Sequence, residues 1–547
     1  MKRSIRHRLL HVLCTAAASL LLTAACARVV NRWDTGWIER RPADTDVRVR
    51  VEPDAPPEAA LPRAPASGPL VLTLKEAVLL SLENNRALVV ERLNPAIQET
   101  FEAEERAVFD PVTSAEVSLG RDKEERAQAA EPEIEEDFTT DTARGGISLE
   151  QYFPTGTRVA LRADTRMDDS SILDTRAYES RIGMTITQAL LRGYGVDTNL
   201  ARLRQARLET LMSEFELRGF TEALVAEVEL TYWDLALARR QIEIVEESLK
   251  VARQQLSETQ QLISVGRLPK AELAAVQAEV ALQEQALIRA RADEEIIRLR
   301  LIRLLNPTVP AMWDVEIDLA YEPTLPEIRL DEVRQHVALA QRMRPILNEA
   351  RLEILTDSLE LVRTKNGLLP LLDLFITLGK TGYATSFGDS AADIPGDGYD
   401  ASAGLRFSYP NFNREARALH KRALLSREQT EKSLANLSQL VEVDVRTAYI
   451  DVNRTRQQIA ASTATRRFNE EKLRIETEKL RVGRSTSFLV AQAQRDLLAS
   501  RIAEVKALVD YIQALVDLYR LDGSLLERRG IVAPGREPVE IEKQKMP

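Results

Sequence analysis

Along most of the chain apolar residues recur every three or four positions, and in two places that period gives way to strict alternation. Residues 74–108 and 330–363 carry the helical period without an interior glycine. Pro345, directly after Arg344, lacks the N–H an interior turn needs and is expected to kink or divide the second of these helices. Alternation follows each. Ala115, Val117 and Leu119 interleave with Ser114, Glu116 and Ser118. Ile147 with Leu149, then Val159, Leu161 and Ala163, then Ile182, Met184 and Ile186 repeat the pattern. Later, Leu372, Leu374, Ile376 and Leu378 share one face, as do Leu405, Phe407 and Tyr409. Period two with one apolar face predicts strands, within about 112–190 and 371–409. Lengths of roughly eight to ten residues suit a tilted bilayer crossing. The same alternation also fits a half-buried sheet in water. Pro154-Thr155-Gly156 predicts a tight turn, and the polar stretches 121–143 and 379–400 predict long exposed loops. After each strand region the helical period returns for much longer. Residues 199–264, interrupted only by Gly219, predict about 100 Å of helix, and 271–305 a return of about 50 Å. Residues 414–481 and 487–521 repeat this pair.

The chain is in fact duplicated. Tyr232 and Ile242 match Tyr449 and Ile459, Val265-Gly266-Arg267 matches Val482-Gly483-Arg484, Gln277 matches Gln494 and Leu304 matches Leu521, all at an offset of 217. Phe109-Asp110-Pro111 matches Leu368-Leu369-Pro370 at an offset of 259. The difference of 42 residues places an insertion in the first repeat after Pro111. The resulting domain plan is an export signal (1–26), a Pro-rich tether (27–70), a first repeat (71–306), a linker (307–329), a second repeat (330–523) and a C-terminal tail (524–547).

The amino terminus changes the reading of the sheet. Lys2, Arg3, Arg6 and Arg8 precede an apolar core at 9–22, too short for a comfortable transmembrane helix, which reads as an export signal. Thr23-Ala24-Ala25-Cys26 resembles the end of a lipoprotein signal, with Cys26 the residue to be lipidated, although Thr23 stands where Leu is usual. Cleavage near Ala25 or Ala27 with an unmodified cysteine is the alternative. Trp33 and Trp37 suit a lipid interface or plain packing. The only other cysteine, Cys14, lies inside the signal, so the exported body has no disulfide or thiolate metal site. Export favours a membrane sheet over a soluble one. A net charge of −10, with no basic stripe, excludes general nucleic-acid binding.

Candidate chemistry of other kinds is sparse. His336 and His420 lie far apart and read as surface or helix-packing residues. Gly396-Asp397-Gly398 lacks the strand-to-helix setting of a nucleotide site and reads as a turn, and no zinc-protease or phosphate-loop motif occurs. The many Glu/Arg pairs at helical spacing read as solvated faces. No enzyme activity and no cofactor or metal is expected.

At the end of each long helix sits Val-Gly-Arg. Gly266 and Gly483 suit helix termination, Pro269 a helix start, and Ser485, Thr486 and Ser487 an N-cap. A duplicated plan of helix, strands and long hairpin with Val-Gly at both tips resembles the TolC family of outer-membrane channel proteins. Gln188-Ala189-Leu190-Leu191-Arg192-Gly193 is similar to that family's strand-to-helix junction. The likeness runs from about Leu72 to Gly530. It implies a mixed α and β fold: a transmembrane β-barrel shared by a homotrimer in outer-membrane lipid, and a periplasmic α-helical coiled-coil barrel. It implies a passive duct of a tripartite efflux or type I secretion system, working with a periplasmic adaptor and an inner-membrane transporter. The competing reading is an exported coiled-coil scaffold without a pore. A trimer also follows from physics, because a few strands cannot close a barrel and open edges in lipid leave backbone groups unpaired.

By the same resemblance, Val265, Gly266, Arg267, Val482, Gly483 and Arg484 form the adaptor-docking tips; otherwise they are only turn residues. The helix after Gly483 lines the periplasmic aperture. Where the family often places Asp, six and nine positions after this glycine, this chain has Leu489 and Gln492, with Phe488 adjacent. That predicts a constriction of Phe488 and Leu489 with a neutral Gln492 ring, unless these residues pack between helices. The family usually supplies four strands per chain. Six alternating segments here mean a larger barrel or one hairpin outside the wall.

Overall fold

The computed structural model describes residues 43–49, 69–127, 135–170, 175–307, 312–320 and 330–540; the export signal, Cys26, Trp33 and Trp37 lie outside these. Two compact units emerge. One is built from 98–210 and 353–431, the other from 43–97, 211–352 and 432 onward.

Strands β1 (Arg48–Val49) and β2 (Leu70–Leu72) precede helices α1 (Leu74–Asn84), α2 (Arg86–Glu91) and α3 (Leu93–Ala107). Four strands follow: β3 (Val112–Ala127), β4 (Glu135–Tyr152), β5 (Thr157–Ser170) and β6 (Thr175–Ala189). A short α4 (Val196–Asn199) leads into α5 (Ala201–Ser264) and α6 (Glu272–Leu305). The second half runs β7 (Ile317–Leu319), α7 (Val333–Met343), α8 (Pro345–Gly367), β8 (Leu371–Ala384), α9 (Phe387–Ala392) and β9 (Tyr399–Ser408). It continues through α10 (Arg414–Arg481), α11 (Ser487–Leu521), α12 (Leu525–Arg528) and β10 (Ile531–Val532).

The expected single helix over 74–108 is three helices. Thr73 starts the first with a capping box, its hydroxyl accepting the Glu76 N–H while the Glu76 carboxylate accepts the Thr73 N–H. Asn85 then breaks the chain, with extended backbone and a side chain that caps Leu88 and donates to Leu304 O at 3.0 Å. Its counterpart 259 residues on is Arg344, where the second half breaks in the same backbone conformation. The first half has Arg86 where the second has Pro345, so proline alone does not cause the break. Tertiary packing fixes it. Asn306, at φ 44°, donates to Asn84 O, and Gly523, at φ 74°, occupies the equivalent place against Met343 and Arg344.

Residues read as tether, linker and tail also build structure. β2 pairs in parallel with β7, and β1 antiparallel with β10. Leu70, Leu72, Leu525 and Leu526 are buried, and the Tyr232 hydroxyl donates to Leu72 O in the same core. Runs of two or three residues carry no readable period; only long-range pairing makes them strands.

In the other unit, β3, β4, β5, β6, β8 and β9 form one antiparallel sheet in chain order. Registers separate its faces. Val117, Leu119, Ile147, Leu161, Ile182, Ile376, Leu405 and Phe407 lie on one face. Ser118, Ser148, Arg162, Thr185, Thr377 and Ser402 lie on the other. The apolar face stays open over most of its area, with Val117 82% and Phe407 66% exposed. At one end α9 packs on β6 and β8 through Ser390, whose hydroxyl lies 2.8 Å from that of Ser180.

The strands are longer than expected, up to 18 residues in β4. Residues 121–127, 135–143 and 379–384, read as loop, continue the ladders. Alternation ends where the apolar band ends, but ladder hydrogen bonds do not require apolar side chains. Ion pairs such as Arg121–Asp141 (2.6 Å) and Arg176–Asp169 (2.7 Å) take over. Gly396 closes a turn begun at Asp393, and Asp397 and Gly398 lead from it into β9.

The strand-to-helix junction after β6 is tied by Asn199. Its amide donates to Pro154 O, Gly193 O and Gly195 O and accepts from the Tyr152 hydroxyl. Gly156, at φ 85°, lies so close to Gly193 that a Cβ would stand 2.2 Å from its carbonyl oxygen.

Several Glu/Arg pairs on the helices are solvated, as at Arg474–Glu471 and Arg481–Glu478. Others are not, which corrects that reading. Arg218 in α5 is fully buried, 2.5 Å from Glu527 and 3.3 Å from Glu222. Arg529 makes a two-pronged pair with buried Glu229. Helical spacing alone does not distinguish a solvated pair from a buried one, because both obey the same i,i+4 geometry.

Candidate functional site

Each long hairpin turns through the same backbone device. The Gly266 N–H donates to Ile263 O and the Arg267 N–H to Leu262 O at 2.8 Å. In the second hairpin the Gly483 N–H donates to Leu480 O and the Arg484 N–H to Lys479 O at 2.8 Å. Both glycines stand at φ 71°. This is the two-bond helix stop that a left-handed residue permits. Val265 and Val482 are each 68% exposed, and Arg267 and Arg484 are exposed beside them. Two valines held in water by turns that require only the glycines form a matched apolar pair, each with an arginine at its rim.

The return helices start differently. Pro269 lies before α6, where its carbonyl accepts the Glu272 N–H. Thr486 caps α11, its hydroxyl accepting the Leu489 N–H. Ser485 instead donates to Glu476, whose carboxyl is held below its ordinary range by the Lys479 ammonium and then by this hydroxyl.

Past the second tip, Phe488, Leu489 and Gln492 are exposed, whereas Ser487, Val490, Ala491 and Ala493 are buried. The three therefore share an outward face of α11 and do not fill the core of their own chain.

The two hairpins are fastened to each other near the tips. Glu272 accepts the Ser487 N–H at 3.0 Å, Gln494 donates to Gln255, and Arg495 pairs at 3.0 Å with Glu279. Glu279 is buried and also accepts from buried Gln283. The sequence reading missed these ties, whose one available signal was an acid, Glu279 or Asp496, at the same place in both repeats. Asp496 pairs with Lys472 at 2.7 Å.

Both histidines pack against other elements, His336 buried and His420 half-buried. His336 is buried with Nδ1 2.7 Å from Asp522, and His420 lies 3.1 Å from the Thr364 hydroxyl. Among the described residues no group of three His, Cys, Asp or Glu is placed to hold a metal ion. No helix there is long and apolar enough to cross a membrane. The uncovered face of the sheet, the two tips and the outward face of α11 are surfaces that present exposed apolar side chains.

The sequence matches the family model described as outer membrane efflux protein over residues 81–307 and 337–524. No curated protein matches it. Among solved structures, the fold is similar to the outer membrane channel CmeC of Campylobacter jejuni, at TM-score 0.62 and 15% identity, over 84% of this chain and 89% of that one. It is similar to VceC of Vibrio cholerae at TM-score 0.59 and 15% identity, covering 82% and 96%. The open-state MtrE channel of Neisseria gonorrhoeae gives TM-score 0.59 and 16% identity, covering 89% and 98%.

Proposed function

This chain belongs to the outer membrane efflux protein family, the TolC-like channels, and from that premise we propose that three copies of it form a passive export duct of a tripartite system. It is an outer-membrane efflux channel; the trimer, the partners and the site roles are the proposal. The carrying observation is the sheet, whose apolar face is uncovered while its opposite face is polar. That arrangement costs free energy in water, at roughly 25 cal/mol per Å² of apolar surface, and is satisfied in lipid around an aqueous lumen. The helices add a second reason for neighbours. Leu440, Val443 and Ile450 on α10 and Ile288, Ile296 and Leu299 on α6 form exposed apolar stripes at helical spacing.

In this reading the helical hairpins stand in the periplasm, Cys26 carries the lipid, and a periplasmic adaptor docks on Val265, Gly266, Arg267, Val482, Gly483 and Arg484. An inner-membrane transporter supplies the energy. Phe488 and Leu489 narrow the aperture, and Gln492 contributes a neutral polar ring there. The scaffold alternative leaves the open face of the sheet unexplained.

One preparation tests the duct. Detergent-extracted protein is expected to have the mass of an acylated trimer and to give discrete conductance in a planar bilayer. Gln492→Asp channels should become more cation-selective, because three carboxylates then focus field at the narrowest point. Unchanged selectivity removes Gln492 from the pore, and a non-conducting soluble species removes the duct. At the tips, a Val265→Asp and Val482→Asp double variant should conduct normally in bilayers yet fail to support export in cells, since each carboxylate desolvates poorly against an apolar partner. Undiminished export would leave these residues as turns only.

A further inference from the structure

We infer that the inserted hairpin of β3 and β4 is part of the barrel wall, so that three copies close an eighteen-stranded barrel wide enough for bulky hydrated solutes. This rests on the trimeric-duct reading and goes beyond it by placing the insertion and setting the bore.

The 42-residue difference between the two repeat offsets equals the length of residues 112–153, which hold β3, β4 and the residue after them. Were this hairpin outside the wall, β5 would be the edge strand that meets a neighbouring copy. Instead β4 pairs with β5 without a break from Thr140↔Ser170 to Tyr152↔Arg158, a ladder as continuous as that between β5 and β6. The faces also run on through the insertion. Val117 and Leu119 fall on the apolar side with Ile147 and Leu161, while Ser118, Arg144 and Ser148 fall on the polar side with Arg162. A flap in water would have no reason to keep an apolar face in register with the wall, and its Val117 and Leu119 are the most exposed large apolar side chains on the sheet.

The edges also permit closure with all six strands. The free ladders of the sheet are those of β3 and β9. Six strands is an even number, so β9 of one copy runs antiparallel to β3 of the next, and closure needs no change of direction. Barrel diameter grows about linearly with strand number. With strands ~4.8 Å apart and tilted about 40°, eighteen strands give roughly 36 Å between opposite backbones, against roughly 24 Å for twelve. Eighteen-stranded walls leave an aqueous channel. The polar face offers both signs, with Glu116, Glu150 and Asp164 among Arg144, Arg158 and Arg162. A wide lumen of mixed sign does little filtering, which leaves selection to the periplasmic aperture.

Disulfide scanning in the intact trimer decides the matter. Ser402→Cys in β9 would be combined in turn with Ser114→Cys, Glu116→Cys and Ser118→Cys in β3, and separately with Ala160→Cys, Arg162→Cys and Asp164→Cys in β5. All seven positions lie on the polar face. The expected result is a reductant-sensitive covalent trimer with a β3 cysteine and none with a β5 cysteine. Trimers that cross-link through β5, or through neither strand, overturn the eighteen-stranded wall while the duct stands. A protein that forms no trimer overturns the duct itself.

Discussion

Replacing Arg218 with methionine is expected to destabilise the helical unit by about 3–5 kcal/mol, the usual result of removing one partner from a buried ion cluster. Arg218 is fully buried between Glu222, one turn along α5, and Glu527 after the last long helix. Methionine keeps much of the volume but removes the guanidinium that offsets the buried Glu222 carboxyl, while exposed Glu527 turns to solvent. Even in the intact protein the cluster is under-satisfied, because Arg218 Nε and Nη1 and Glu222 Oε1 lack hydrogen-bond partners. Burial pushes the Glu222 carboxyl up to about 8, against the opposing pull of Arg218. The sign of the pH dependence follows. A carboxyl with a raised folded pKa binds its proton more tightly when folded than when unfolded. Its penalty is therefore absent below the ordinary carboxylate range, grows as pH rises through it, and is complete above about 8. Stability of the wild-type helices should fall from pH 5 to pH 8, and Glu222→Gln should flatten that slope. Helical unfolding followed by circular dichroism in denaturant reads all of these. If Arg218→Met loses less than about 1 kcal/mol at pH 7, water or relaxation already satisfies the cluster and the account is wrong. A double variant, Arg218→Met with Glu222→Leu, should recover part of the loss, since it removes the buried carboxyl together with its partner.

The second large effect is expected at Gly156. Alanine there meets two costs. Its backbone must hold φ 85°, and its methyl carbon would sit 2.2 Å from Gly193 O, which belongs to the junction that Asn199 ties together. The conformational cost is about 1–2 kcal/mol, and forcing the junction apart adds roughly 1–3 kcal/mol. Folded, heat-modifiable trimer should drop severely in Gly156→Ala. Gly195→Ala is the control, because Gly195 has φ 98° but nothing within 4 Å of an added Cβ. It bears only a conformational cost, about 1–3 kcal/mol at φ 98° and ψ 146°, and should assemble better than Gly156→Ala. Equal yields from the two variants would show that the contact with Gly193 relaxes cheaply.

These two sites differ in how far the sequence disclosed them. Pro154-Thr155-Gly156 reads directly as a turn, and Gly193 ends a recognisable junction; only their approach to each other was hidden. Arg218 and Glu222 read as one more i,i+4 pair among many. The further partner of Arg218 is Glu527, more than three hundred residues away, in a stretch that reads as a tail. The breaks at Asn85 and Arg344 show the same asymmetry. Proline announces one, and the other carries only the weaker local signal of an N-capping asparagine, Asn85, although both arise from the packing of Asn306 and Gly523 in the duplicated unit.

Periodicity and repetition were local enough for the sequence alone to determine the duplication, the long helices, the six alternating segments, the glycine-ended tips and hence the family. A hydrophobic stripe or a left-handed glycine follows from bonds within a few residues, so short stretches specify them. Tertiary structure decided what depends on distant partners: the strands that outrun their apolar pattern, the two- and three-residue strands paired across the chain, the buried ion cluster, and the joining of all six strands in one sheet. Each of those is a contact between segments far apart in sequence, whose free energy exists only once the fold has brought them together.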